Sequence, residues 1–161
     1  MSVSAAPRSR SVEIVMAGFR VLLGVLFLTV WGSNLDKGLY GADQYAALIN
    51  GYADDGDAPG VWKDLMRFVA DNASVFSKLQ FVTELTFGVL LTFGLATRIV
   101  AFAAGLFLTT LWISEIGVPN EWIWSLIFPA ALAFAVAWVP QARAFSLDER
   151  LRDRLPRWAT G

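Results

Sequence analysis

Residues Phe81 to Arg98 read FVTELTFGVLLTFGLATR, a membrane-length apolar run that contains one carboxylate, Glu84, and closes on an arginine, Arg98. The run is too apolar for the surface helix of a soluble domain. A bilayer interior does not hold an ionisable residue without a partner or a use. The rest of the chain agrees with a membrane setting. Of its 161 residues 56% are hydrophobic and only 17% charged, where a soluble domain carries about a quarter charged. The length suits one compact domain of a few spans.

A helix that crosses a bilayer needs about 20 mostly apolar residues. Four stretches meet or approach that length: 14–33, 76–96, 99–117 and 122–139. They predict an all-α integral membrane protein, a four-transmembrane-helix bundle over residues 13–141 with an outer loop at 34–75. Residues 1–12, rich in Ser, Ala and Arg, read as a disordered cytoplasmic tail, and 142–161 as a cytoplasmic amphipathic tail. Direction follows from the flanking cations. Arg8 and Arg10 precede the first span, Arg98 lies between the second and third, and Arg143, Arg150, Arg152, Arg154 and Arg157 follow the fourth. All fall on one side of an even-numbered bundle, while the opposite side is rich in aspartate. The expectation is a multi-pass protein of the plasma membrane with both termini cytoplasmic. Trp31, Trp112, Trp122 and Trp124 then mark the outer interface and Trp138 the inner one. A cleaved signal peptide is the rival reading of the N-terminus. Against it, the apolar stretch is long for a signal's core, and its end, Thr29 to Ser33, lacks an Ala-x-Ala-like site.

The loop and the C-terminus carry their own patterns. Tyr45, Leu48, Ile49 and Tyr52 have helical spacing, and Val61, Trp62, Leu65, Met66 and Val69 form a second apolar stripe. Two short amphipathic helices on the outer face of the bundle account for both. The turn between them, Asp54-Asp55-Gly56-Asp57, reads as solvated, because a calcium loop would end on a bidentate Glu. Ser146-Leu147-Asp148-Glu149 is a capping-box pattern that starts a helix, with Leu147, Leu151 and Leu155 along one face and Pro156 ending it.

The chain contains no Cys and no His. That removes disulfides, thiol catalysis, a Ser-His-Asp triad and the residues most often used for zinc, haem and iron–sulfur clusters. No metal site and no intrinsic cofactor is expected, and no basic stripe suggests nucleic acid. Any redox chemistry has to sit on a diffusible organic carrier, such as a membrane quinone, or on another subunit.

Arg20 and Glu84 are the ionisable residues well inside the apolar spans, and together they are the candidate intramembrane polar site. With the outer helix ends flush, Arg20 lies roughly 20 Å and Glu84 roughly 12 Å below the surface, a difference of ~8 Å at 1.5 Å per residue. Two readings stand. The two side chains form an ion pair between adjacent helices. Alternatively, Arg20 reaches for the headgroups and Glu84 is protonated and hydrogen-bonded locally. A second polar group gathers at the outer ends: Asn34, Asp36, Lys37, Lys78, Gln80, Ser114 and Glu115, near Trp31 and Trp112. Trp31, Lys37, Trp112 and Glu115 outline a candidate outer pocket with an aromatic wall and a polar floor, suited to a quinone headgroup. The alternative is ordinary interfacial decoration.

Glu84, Gly88, Leu90-Leu91, Gly94-Leu95 and Thr97-Arg98 together resemble the E-xxx-G-x-LL-xx-GL-x-TR signature of the DoxX/DoxD family. Arg20 in the first span, Gly32 and Lys37 at its end, and Phe145-Ser146-Leu147-Asp148 after the fourth fit the same pattern. The likeness covers nearly everything after residue 12. It implies a four-helix integral membrane protein similar to the membrane subunit of thiosulfate:quinone oxidoreductase, which passes electrons from thiosulfate to a membrane quinone. The long outer loop resembles the DoxD-like branch. As motif positions the resemblance marks Arg20, Gly32, Lys37, Glu84, Gly88, Gly94, Arg98 and Asp148.

Three classes of function follow. The first is a membrane subunit of a quinone-linked oxidoreductase, working in the lipid bilayer with a partner subunit that holds the electron donor. The second is a non-catalytic assembly or anchoring subunit of a larger membrane complex. A solute or proton carrier is the third and fits least, because only Thr86, Thr92 and Thr97 continue a polar path from Glu84 along its own span, and no inverted repeat is visible.

Overall fold

The structure is a computed structural model that describes residues 10–151. Among these residues every regular element is helical. The chain forms α1 (Arg10–Asp36), α2 (Ala42–Asp55), α3 (Gly60–Asp71), α4 (Ala73–Phe93), α5 (Thr97–Ser114), α6 (Trp124–Trp138), a 3-10 turn at Pro140–Arg143, and the one-turn α7 (Leu147–Arg150).

Three helices, α1, α4 and α5, are long and apolar enough to cross a membrane. The fourth apolar helix, α6, has 15 residues, about 22 Å at 1.5 Å per residue against a hydrocarbon core of about 30 Å. It runs through Pro129, which removes one backbone donor. Large apolar side chains face outward around these helices, among them Leu22, Val82, Phe93, Phe102 and Phe128. A soluble monomer rarely exposes so much apolar surface, whereas lipid tails accept it. Span hydroxyls return to their own helices: Thr92 donates to Gly88 O and Thr109 to Gly105 O, each at 2.7 Å.

α1 packs on α4 and α5 on α6. Small residues set both approaches. A Cβ on Gly24 would lie 2.6 Å from the Thr92 nitrogen, and one on Gly88 would lie 2.6 Å from Leu28 Cδ2. On the other pair, a Cβ on Gly105 would meet the Phe134 ring at 2.8 Å. Between the pairs Leu23, Phe27, Leu91, Ala101, Ala104, Leu108, Ala133 and Val136 form the buried core.

The boundaries differ from the sequence reading in ways that have local causes. Residues 10–12, assigned to the disordered tail, begin α1; residues 1–9 lie outside the described part. The helix expected to end at residue 96 stops at Phe93, because Gly94 adopts the left-handed conformation (φ 69°) and its N–H closes on Leu90 O. The break expected after residue 141 has no counterpart. Ala142, Ser146 and Asp148 are buried, and the 3-10 turn packs against α1. The Ser146 half of the capping box forms, its Oγ accepting from Glu149 N–H at 3.2 Å, while Glu149 Oε2 reaches one residue further back and accepts from Phe145 N–H at 2.8 Å. The helix it starts is described for one turn only, and Leu155 and the arginines at 152, 154 and 157 lie outside the described residues.

α2 and α3 cap the end of the bundle opposite the α4–α5 turn. α3 turns Met66 and Ala70 inward, and its Trp62 indole N–H donates to Ser114 Oγ at 2.9 Å. Its Val61, Leu65 and Phe68 face out. Phe68 meets Phe76 of α4 edge-on, with ring centroids 6.1 Å apart.

Candidate functional site

Register along the α1–α4 pair decides where the polar residues meet. Gly24 lies against Thr92, Leu28 against Gly88, and Asn34 donates to Glu84. Glu84 is therefore level with Asn34, which stands 14 positions after Arg20, roughly 21 Å along α1. The expected Arg20–Glu84 ion pair does not form. Among the described residues the direct ion pairs are those of Arg67 with Asp54 and Asp64, both exposed. Flush outer ends would have brought the two charges close. Instead α4 begins at Ala73, 11 residues before Glu84, so that roughly 16 Å of helix lies beyond the level of Asn34, between α2 and α3.

Glu84 is 1% exposed and is held by donors alone. Tyr40 O–H donates to Oε2 at 2.5 Å, Gln80 Nε2 to Oε1 at 2.8 Å, and Asn34 Nδ2 to Oε2 at 3.1 Å. Tyr45 O–H donates in turn to Gln80 Oε1 at 3.0 Å, which fixes the orientation of that amide. Four elements converge: α1, the turn after it, α2 and α4. Burial pushes both phenols up, with the Glu84 charge adding to it. Tyr45 reaches about 12. Both tyrosines thus remain O–H donors at neutral pH.

The expected outer pocket is rearranged. Trp31 adjoins the Glu84 network: its carbonyl receives the Tyr40 hydroxyl at 3.4 Å, and its ring lies 5.3 Å from that of Phe81. Phe81 also meets Tyr40 edge-on at 5.0 Å. Trp31 Nε1 is buried with no acceptor among the described residues, and so is Trp112 Nε1 on α5. Lys37 is exposed and takes no part in the network, and Asp36 and Lys78 are exposed likewise. Ser114 serves Trp62. Glu115 follows α5 in a separate group with Glu121, whose Oε1 accepts the Tyr52 hydroxyl at 3.2 Å. Burial, reinforced by Glu121, pushes the Glu115 carboxyl up to about 7. Sequence reasoning missed Tyr40 as a partner of Glu84 and Tyr45 as the partner of Gln80 behind it. Tyr45 lay on a recognised helical stripe; Tyr40 lies between helices, where the only cue was the turn at Gly38 (φ 69°) that brings it back over α1.

The second polar cluster sits at the α4–α5 turn. Asp148, 1% exposed, accepts the N–H of Ala96 at 2.7 Å and of Thr97 at 2.8 Å, while its own N–H donates to Gly94 O at 2.9 Å. It thereby caps the N-terminus of α5 from 51 residues away. The cap holds Ala96 in the left-handed region (φ 51°), which costs an alanine roughly 1–2 kcal/mol. Arg20, 2% exposed, fills the space beside Gly94, where a Cβ would collide with its Nη1 and with Ser146 Cβ. Asp148 is the opposite charge acting on Arg20, without a direct ion pair. Gly94, Thr97 and Asp148 are thus joined as one structural clip, and Arg98 points away from it into exposure. At Gly32, the remaining motif glycine of α1, a Cβ would meet nothing within 4 Å, so no close packing requires it.

Between the clusters lies an apolar layer. Phe27, Phe87 and Phe107 meet with centroids 5.3, 5.9 and 6.3 Å apart, and Leu23 and Leu91 fill the next level. Thr86 faces outward and Thr92 is bonded to its own helix, so no chain of polar side chains joins Glu84 to the turn among the described residues. Nor does any group of three or more acidic residues there have the arrangement of a metal site. No protein-family model, curated protein or solved structure matches the chain.

Proposed function

We propose that this chain is a DoxX/DoxD-like membrane subunit of a quinone-linked oxidoreductase system, of the thiosulfate:quinone type, with the quinone headgroup recognised beside Trp31. The observation that carries the reading is the Trp31 indole N–H, buried without an acceptor among the described residues, next to the Tyr40–Glu84 hydrogen bond. A buried donor calls for an acceptor, and a quinone carbonyl is one. Phe81 and Tyr40 supply aromatic walls. With no Cys or His in the chain, the electron donor resides on a partner subunit. In this reading α6 is the fourth span, both termini are cytoplasmic, and the Trp31 site faces the outer leaflet of the plasma membrane. The apolar layer below Glu84 argues against a carrier.

The test is titration of the chain in lipid nanodiscs with a short-tailed ubiquinone, followed by tryptophan fluorescence. Saturable quenching is expected, weakened about tenfold in Trp31→Phe by loss of one hydrogen bond. Quenching that does not saturate, or that is equal in the variant, overturns the reading.

A non-catalytic assembly subunit is the second reading. It is favoured by a different observation: the Glu84 oxygens are already occupied by the chain's own donors, while Val61, Leu65 and Phe68 of α3 face out. Co-purification with a larger complex, lost in Leu65→Asp and kept in Trp31→Phe, would select it.

A further inference from the structure

A groove runs between the start of α5 and the end of α6, apart from both the Glu84 network and the Asp148 clip. Its volume is about 270 Å³, and it is lined by Arg98, Ile99, Phe102, Ala137 and Trp138. Polarity changes along it. At the rim stand the Arg98 guanidinium in the first turn of α5 and the Trp138 indole at the last residue of α6, 79% exposed. One turn deeper the wall is Phe102, backed edge-on by Phe134 at 5.7 Å. Leu106 continues the exposed apolar track another turn along the same face.

Among the described residues Arg98 has no carboxylate partner. Of the acids near this end, Asp148 has both oxygens committed to Ala96 and Thr97, and Glu149 Oε2 holds the Phe145 N–H. A guanidinium without a carboxylate, set above apolar walls at the level of an interfacial tryptophan, matches one ligand chemistry: a phosphate headgroup above an acyl chain. A second copy of the chain is a poorer occupant. Packing it into the groove would take the exposed Arg98 out of water, and charged residues are depleted at the core of protein interfaces.

We propose that the α5–α6 groove is a site for one anionic phospholipid, with the phosphate on Arg98, the glycerol region beside Trp138 and an acyl chain against Ile99 and Phe102. The full chain would be equilibrated in nanodiscs of equal phosphatidylglycerol and phosphatidylcholine, released into the gas phase, and its retained lipids counted by native mass spectrometry. One phosphatidylglycerol retained in preference to phosphatidylcholine is expected. Arg98→Gln should lower that preference about fivefold, the effect of one arginine at a charged membrane surface, and Arg98→Lys should keep most of it. Trp138→Ala weakens retention of both lipids without changing charge, and so decides the matter should Arg98→Gln fail to fold. Arg67→Gln, at the other end of the molecule, should change nothing. Equal retention of the two lipids by the unaltered chain, no loss in Arg98→Gln, or no loss in Trp138→Ala overturns the proposal. So does a disulfide-linked dimer formed through Trp138→Cys in place of lipid retention.

Discussion

The Asp148 carboxylate accepts the Thr97 N–H at 2.8 Å and the neighbouring Ala96 N–H at 2.7 Å, so that the last described segment of the chain holds the first turn of a central helix. Two donors of a helix N-terminus converge on one anion, which also stands as the opposite charge to Arg20. Asp148→Ala removes two charge-assisted hydrogen bonds and should cost about 3 kcal/mol or more. Asp148→Asn keeps one acceptor oxygen and should cost roughly half of that. Thermal unfolding in detergent, followed by circular dichroism, checks both. An Asp148→Ala protein as stable as the parent would show that the clip does not hold the turn.

The separation of Arg20 from Glu84 has a thermodynamic signature. Residues roughly 20 Å apart with no shared partner combine additively, within about 0.5 kcal/mol. The double variant Arg20→Met with Glu84→Gln should therefore lose the sum of the two single losses. A coupling well above that limit would restore the direct pair.

Tyr40 and Glu84, by contrast, should couple. Tyr40→Phe removes the shortest donor to the carboxylate, at 2.5 Å, and should cost about 1.5–3 kcal/mol. Glu84→Gln should cost a comparable amount, since its amide hydrogens would then face other donors. In a double-mutant cycle the interaction energy should exceed about 1 kcal/mol, and a value near zero would mean the bond contributes little.

Glu115 sets a pH dependence. Its carboxyl is pushed up to about 7 by burial and then by Glu121, with Tyr52 hydrogen-bonded to Glu121 on the same side. Since the folded form favours the protonated acid, stability is greatest below the ordinary carboxylate range and declines as pH rises through about 7. Melting curves across the range from mildly acidic to mildly alkaline pH should show the decline, and Glu115→Gln should flatten it. An unchanged slope in that variant would assign the effect to another group.

Much of the architecture was legible from hydrophobic patterning. The Phe81 to Arg98 run lies in α4, the turn and α5, and the stripes at Tyr45–Tyr52 and Val61–Val69 lie in α2 and α3. Depth was not legible. The first turns of α4 carry Ser74, Ser77, Lys78 and Gln80, but such residues belong at any membrane interface, so nothing in them says that these turns rise beyond α1. That offset alone turned two charges expected to meet into two separate clusters. Likewise Ser146 to Glu149 announced a helix start, as found. That Asp148 within it would turn inward to cap α5 depends on a fold-back at Val139 to Arg143 that local sequence does not encode.

The fold-back also imposes an order of events on biosynthesis. When α4 and α5 first enter the bilayer, residue 148 has not been made, and the turn between them lacks the anion that quiets its backbone donors and holds Ala96 in its left-handed shape. The hairpin is completed only after α6 has been synthesised and the chain has doubled back beneath α1. A chain stalled or cut before Phe145 would carry every apolar helix among the described residues yet leave Arg20 facing an open end, and cellular quality control would meet it as an unfinished protein.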